Sequence, residues 1–302
     1  MALKDIKTKI KATERMNKVT RAMEAVSAVK MRKTQAAALQ GRSYARAALA
    51  VLTRLAGTNH VKEHPLGQER EGDKLALIVI TSDKGLAGAL NSGVIKRAVE
   101  ALEGRKIEDV TIYAYGKKGY EYFSRRGYAV ARSVENKADE IPLSVMEDLV
   151  SELTEGFLAG TYDKVSAVYS NFKSTFEQMP TQRRLLPLSL GALNDIVSGI
   201  IPVKGRWSNE EEILAPESYE VEPSGGEVLG VLIPKLVAIA LYHMLLESKA
   251  SEHSARMVAM KNASDKSKDV VRELTRKFNK VRQAAITREV SEIISGREAL
   301  SS

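Results

Sequence analysis

The pattern best suited to chemistry in this 302-residue chain is the run Ser82-Asp83-Lys84-Gly85-Leu86-Ala87-Gly88-Ala89-Leu90-Asn91. It follows an apolar run and bears two glycines. A glycine-bearing turn from a strand into a helix presents backbone N–H groups that can bind a phosphate. The run lacks both the G-x-x-x-x-G-K-[ST] and the G-x-G-x-x-G spacing, and glycine also serves simply to close a tight turn. His60-Val61-Lys62-Glu63-His64 matches H-x-x-E-H, in which two histidines one turn apart hold a metal and Glu63 would act as base. Pro65 and Gly67 follow at once and no third ligand is evident, so the plain reading is a chance match in an exposed loop. His243 and His253 stand about 15 Å apart along a helix and cannot share a metal. Glu289 and Glu292, at i, i+3, read as solvated carboxylates rather than an acid/base couple. The absence of cysteine rules out disulfides and thiolate catalysis. These residues therefore point to no catalytic residue, no cofactor and no metal.

The elements around them are unusual at both ends. Residues 1–57 contain no proline and only two glycines, Gly41 and Gly57, and residues 235–295 contain neither residue type. Helices over these spans would run to about 85–90 Å each. Rods of that length outrun a single core and must lean on one another or on a partner. The first carries apolar residues at Leu3, Ile6 and Ile10, then at Met16, Val19, Met23 and Val26, with a register slip between the two sets that breaks a continuous heptad seam. In the second, Met260, Ser264, Ser267, Val271, Leu274, Phe278, Val281 and Ala285 alternate steps of four and three, the 3.5-residue repeat of a coiled coil. Ile286, Val290 and Ile293 then open a stripe at a new angle, and a helix that is apolar all round expects to be surrounded. No run approaches the length and apolarity of a transmembrane helix, and the N-terminus lacks the apolar core of a secretory signal.

Charge follows the same division. The chain carries a net +8, of which residues 1–57 hold +10 and residues 242–302 hold +4, leaving −6 for the rest. Lys4, Lys7, Lys11, Arg15 and Lys18 make a basic face on the first rod. Such a face is either solvated or meets an acidic partner, whether nucleic acid, anionic lipid or acidic protein loops. Tyr44 is the single aromatic of residues 1–57, so base stacking is not provided for.

Between the rods, strand and helix patterns alternate. Leu75–Ile80, Val110–Tyr115 and Val165–Phe172 read as strands, and Leu90–Leu102, Lys118–Arg126 and Val145–Leu158 as helices. This order predicts βαβ units and a small α/β domain over 74–195. Residues 196–233, with scattered Pro and Gly and the lone Trp207, read as an irregular linker, or an edge strand plus linker, leading into a rod over 234–302. The fold class is α/β, with a Rossmann-like domain inserted into a long antiparallel coiled coil of the N- and C-terminal helices.

Several long segments resemble the γ subunits of F-type ATP synthases. These are Met1–Lys7, Asn17–Ser27, the Thr81–Asn91 loop, Ser251–Ala263 and Phe278–Gly296, in that order along the chain. The sequence departs from the pattern at Arg297, where alanine usually stands, and at Ala87, which matches a frequent cysteine. The resemblance implies a non-catalytic central-stalk rotor that couples proton flow to ATP synthesis or hydrolysis. The implied partners are the alpha and beta subunits of a six-membered catalytic ring, the epsilon subunit and the membrane c-ring. The implied location is peripheral, on the cytoplasmic face of a bacterial membrane, with no direct membrane insertion and no nucleic acid. Arg282, Gln283, Thr287 and Glu292 match positions that touch the ring's inner loops, and Lys18 and Met23 match a lower contact. Two other classes compete on the residues alone: a basic coiled-coil module for nucleic acid or an anionic membrane surface, and a free-standing enzyme using the glycine loop.

Overall fold

The computed structural model describes residues 3–40, 64–136, 142–188 and 224–301. Residues 41–57 of the first rod, 60–63 of the H-x-x-E-H run, 189–195 of the expected domain and 196–223 of the expected linker lie outside the described residues. The chain forms two compact units, one of residues 1–27 with 256–302 and one of residues 28–255. The sequence places the divide further along each rod, near 57 and 234. It lies at 27 and 256 because the inner part of the C-terminal helix is buried against the sheet of the second unit.

That sheet has five strands, β1 Leu75–Ile80, β2 Val110–Tyr115, β3 Ala129–Val134, β4 Lys164–Phe172 and β5 Gln178–Leu186. Their order is β3-β2-β1-β4-β5. The first four run parallel and β5 pairs antiparallel with β4. β1 is buried at every residue, as a central strand covered on both faces must be. Its alternate residues serve two different cores, as the two-residue period of a strand requires. Leu75, Leu77 and Val79 pack with Val94, Ala98 and Leu102 of helix α2 (Leu90–Leu102) and Phe123 of helix α3 (Lys117–Ser124). Ala76, Ile78 and Ile80 pack with Met146, Leu149, Leu153 and Phe157 of helix α4 (Leu143–Leu158). The three strands expected from the sequence are in place. β3 and β5 are additions: β3 alternates between exposed and half-buried, and β5 carries Pro180, which an edge strand tolerates.

The second face is completed by the C-terminal helix, α5. It runs Gly225–Ser301 and contains Pro234, so the expected irregular stretch gives way to helix at residue 225. Leu229, Ile233, Leu236, Leu241 and Leu245 are each at most 1% exposed in the same cluster as β1 and α4. Burying each such side chain contributes about 1.5–3 kcal/mol, whereas a proline inside a helix costs about 3 kcal/mol. Burial wins. The carbonyl that Pro234 cannot satisfy belongs to Gly230, which is exposed to water. This apolar stretch makes α5 long and apolar enough to cross a membrane by length and composition, contrary to the sequence expectation. Just over half of the window concerned, 56%, is buried inside the protein, which is the pattern of a core helix.

In the first unit, α5 pairs antiparallel with helix α1 (Leu3–Gln40). The α5 seam is the expected one: Met260, Ser264 and Ser267 are buried, and Val271, Leu274, Phe278, Val281 and Ala285 half-buried. The α1 seam differs from expectation. It does not slip. Ile6 is buried, Ile10, Thr13 and Asn17 follow at partial burial, and Thr20 and Ser27 are buried, in steps of three, four and seven that keep one heptad register. Met16, Val19 and Val26 are more than half exposed instead. Polar residues fit the seam because their hydroxyls bond back to the preceding turn: Thr13 Oγ1 donates to Lys9 O at 2.9 Å, Thr20 Oγ1 to Met16 O at 3.1 Å and Ser267 Oγ to Ala263 O. Asn17 crosses the interface, its Nδ2 donating to Ser264 O at 2.6 Å and Ser264 Oγ at 3.1 Å. A buried asparagine of this kind pins helix register.

Among the tyrosines buried in the sheet core are Tyr113, Tyr115 and Tyr169. Burial pushes all three phenols up, that of Tyr115 to about 12 from 10.0 with help from the Asp83 charge. Above pH 10 the unfolded chain releases phenolic protons that the fold retains, so stability falls as pH rises. Denaturation midpoints should therefore be constant up to about pH 10 and drop between pH 10 and 12. Tyr115→Phe should flatten part of that slope, and an unaltered slope would contradict the assignment.

Candidate functional site

In parallel α/β sheets, ligands sit beyond the carboxyl ends of the strands where the strand order reverses. Here the reversal is at β1, between β2 and β4, and the glycine loop 82–91 leaves from that end. Its first residues are tied to neighbouring elements. Ser82 N donates to Asn91 Oδ1 at 3.0 Å, and Asn91 Nδ2 donates to Ser82 Oγ at 2.8 Å, tying the loop to the first turn of α2. Asp83 Oδ1 accepts from Lys117 N at 2.7 Å. That carboxylate caps the N-terminus of α3, the position that would favour an anion, and its charge repels phosphate. Gly88 has φ +56° and Leu86, exposed, has φ +65°. The positive φ at Gly88 is what glycine does in a turn, whereas a leucine in that region carries strain. Glycine here is turn chemistry, and the phosphate reading gains no geometric support.

The crevice itself is filled from above by α5. Lys249, 2% exposed, donates from Nζ to Asn136 O at 3.1 Å. Asn136 Nδ2 in turn donates to Thr81 O at 2.9 Å, and Thr81 Oγ1 accepts from Gly119 N at 2.9 Å. Ser251 Oγ donates to Ser170 O at 3.1 Å at the end of β4, and Ser254 Oγ to Thr175 O at 2.6 Å in the β4–β5 turn. A polar collar on α5 thus occupies the place where the fold usually holds a cofactor. The chance of reading it from sequence lay in the run Ser248–Ser254, whose polar residues sit on every side of a helix otherwise flanked by core.

The remaining candidates separate. His64 Nδ1 accepts from Leu66 N at 3.2 Å and caps a 3₁₀ turn, Pro65–Gly67, with its imidazole held below the ordinary histidine range by burial. His243 Nε2 lies 3.3 Å from Glu247 Oε1, and both are largely buried in the second unit. Among the described residues no group of three or more His, Asp or Glu side chains is placed to hold a metal ion. Glu289 and Glu292 are both exposed.

The residues picked out as partner contacts all lie in the first unit. Lys18 is exposed and Met23 half-buried on α1, beside Asn17 and Thr20 of the seam. On α5, Arg282, Gln283, Thr287 and Glu292 are exposed, with Thr287 Oγ1 donating to Gln283 O at 3.0 Å. Among the residues whose burial is described, Ala285 is the last half-buried position, and residues 286–297 are all exposed. Ile286, Val290, Ile293 and Ile294 are among them, at 51%, 48%, 72% and 54% exposure. Contiguous exposed apolar surface of this kind marks an interaction site. The exposed Met16, Val19 and Val26 on α1 form a second such stripe, which the expected register had turned inward.

Three comparisons bear on these surfaces. Residues 2–300 match the family model described as ATP synthase. The chain is 39% identical over 299 residues to an ATP synthase gamma chain of Pelotomaculum thermopropionicum, covering 99% of each. It is equally 39% identical over 306 residues to that of Chloroflexus aurantiacus, again covering 99% of each. Among solved structures, it is similar to a chain of the Tetrahymena thermophila mitochondrial ATP synthase central stalk and c-ring, with a TM-score of 0.60 and 26% identity. That match covers 82% of this chain and 99% of the other.

Gly116 tests the loop geometry. It has φ +102°, and a Cβ there would collide with the Thr81 carbonyl, whereas a Cβ on Gly85 would meet open space. Gly116→Ala should lower the urea-unfolding free energy by more than about 2 kcal/mol. Gly85→Ala should stay within about 0.5 kcal/mol. Equal effects would show that the loop is not held as described.

Proposed function

We infer the working role of this chain from its kinship: the chain belongs to the family of ATP synthase gamma chains. It is a central-stalk rotor subunit of an F-type ATP synthase, transmitting torque between the proton-driven membrane ring and the catalytic ring. The observation that carries this reading is the match over nearly the whole chain, rods and inserted domain alike.

The geometry supplies the physical parts. A rotor needs an element that a surrounding ring can read, and the coiled coil of α1 and α5 ends in a stretch of α5 exposed on all sides, 286–297. Apolar side chains there offer a sleeve-like bearing few directional bonds to break on turning. Ile286, Val290 and Ile293 would provide that surface, with Arg282, Gln283, Thr287 and Glu292 as the contacts to the inner loops of the alpha and beta subunits. Lys18 and Met23, on a helix with a large basic excess, would meet acidic loops at the base of the ring. Each exposed charge pair is worth about 0–1 kcal/mol, so coupling would rest on their sum with apolar contact. A two-helix axle has no threefold symmetry. Each of its orientations therefore favours a different conformation at each catalytic site, which is a coupling free energy between distant sites. The chain itself contributes no catalytic residue. The inserted domain would sit toward the c-ring and epsilon subunit, and the assembly would be peripheral on the cytoplasmic face of a bacterial membrane. The alternative of a nucleic-acid or lipid-binding coiled coil has no support from kinship.

Native mass measurement should find one copy of this chain with a six-membered ATPase ring; a chain that purifies alone would refute the role. In that complex, Met23→Lys adds a charge opposite acidic loops, and should lower ATP synthesis per proton several-fold with assembly intact. Unchanged coupling would count against the contact. Deleting residues 286–302 should weaken assembly or torque, and full ATP synthesis by the truncated complex would overturn the assignment of the tip.

A further inference from the structure

Seven consecutive residues of α5, Ser248 to Ser254, are all less than a tenth exposed, and five of them besides Ala250 and His253 carry hydroxyl or charged side chains. A helix buried on every side by polar residues is costly unless its groups are hydrogen-bonded. Three of them are, and to backbone carbonyls at the carboxyl end of the sheet and in its loops: Lys249 to Asn136 O, Ser251 to Ser170 O, Ser254 to Thr175 O. At about 100° per residue, Ser251 and Ser254 leave the helix roughly 140–160° away from Lys249. The anchors therefore grip opposite sides. The preceding turns of α5, around Leu236, Leu241 and Leu245, pack into the apolar cluster, and apolar contact is non-directional and resists rotation about the helix axis weakly. Hydrogen bonds to fixed carbonyls are directional and resist it.

We propose that Lys249, Ser251 and Ser254 form a torque joint, the point at which rotation of α5 about its own axis is locked to the inserted sheet domain. The Lys249 arm reaches the sheet through Asn136, which passes the load to Thr81 at the end of the central strand β1. The Ser251 and Ser254 arms reach it at the end of β4 and in the β4–β5 turn. Together they engage both sides of the reversal point of the sheet. These are positioning residues: they touch no reacting group and act by preventing the helix from turning within its socket. The proposal rests on the rotor role above and specifies where in this chain the load is transferred.

The test uses the assembled complex carrying Ser251→Ala with Ser254→Ala, and separately Lys249→Met. The double variant should keep the parent's melting temperature and ATP hydrolysis rate to within about twofold, since two small hydroxyls are lost. Its ATP synthesis against a full proton gradient should fall several-fold, because slip at the joint matters only under load. Amide hydrogen exchange should rise about tenfold over residues 170–177 in the double variant, and over residues 81–84 and 134–136 in Lys249→Met. A merely structural role would lower melting temperature and hydrolysis together with synthesis. That result, or unchanged synthesis and exchange in both variants, overturns the joint. Should the double variant fail to assemble, Lys249→Met decides alone by the same criteria. Failure of the rotor role itself is distinguishable, since the unaltered chain would then not enter a ring complex at all.

Discussion

The structure depends on one burial problem. The stretch of α5 from Leu229 to Leu245 is too apolar to face water, and the even-numbered face of β1 needs a cover that α4 alone does not provide. Each solves the other. The gain over several fully buried side chains outweighs a proline and a glycine in the helix interior. The same packing draws α5 across the carboxyl end of the sheet. Once there, its polar collar takes the space that this topology offers to a nucleotide, and the glycine loop becomes a brace for α2 and α3. A filled crevice and a helix anchored in the domain are two results of a single contact.

Beyond the domain the balance changes. The α1–α5 seam mixes apolar residues with Thr, Ser and Asn, with hydroxyls satisfied on their own helices and Asn17 bonded across to Ser264. Such a seam draws its register from a directional bond as well as from apolar contact. Ile6, Met260, Leu274 and Phe278 face the seam, while further apolar residues of both helices, Met16, Val19 and Val26 on one and Ile286, Val290 and Ile293 on the other, are turned outward. A free-standing coiled coil would invert that arrangement. A shaft that must be gripped by surrounding subunits and still turn has reason to keep apolar surface external, which fits membership of the ATP synthase gamma-chain family.

Residues with strong local signals were legible in the sequence. The buried strands β1, β2 and β4 are dense in Val, Ile, Ala and Tyr, and α2 and α4 repeat their apolar residues at helical spacing. The α5 seam from Met260 to Ala285 keeps a 3.5-residue repeat that no alternative packing would use. Kinship was legible because long segments lie in a fixed order along the chain. The exposed apolar positions at the tip were visible as apolar residues off the seam. By contrast β3 and β5 are edge strands, half-exposed and in one case interrupted by Pro180, so neither composition nor alternation marks them.

What the sequence determined by itself was the set of elements whose identity comes from local pattern: helical rods, central strands and a basic first helix. Only the tertiary structure decided which side of α1 faces its partner, where α5 begins and what fills the crevice. Apolar periodicity pointed to Met16, Val19 and Val26 as the seam, yet the residues inside are Thr13, Asn17 and Thr20. Hydropathy prices a side chain against water, while a hydroxyl bonded to its own helix and an asparagine bonded across the interface are priced against the partner they find. That partner lies some 250 residues away in the chain for Asn17 and Ser264, at a separation of 247, and no local reading can supply it.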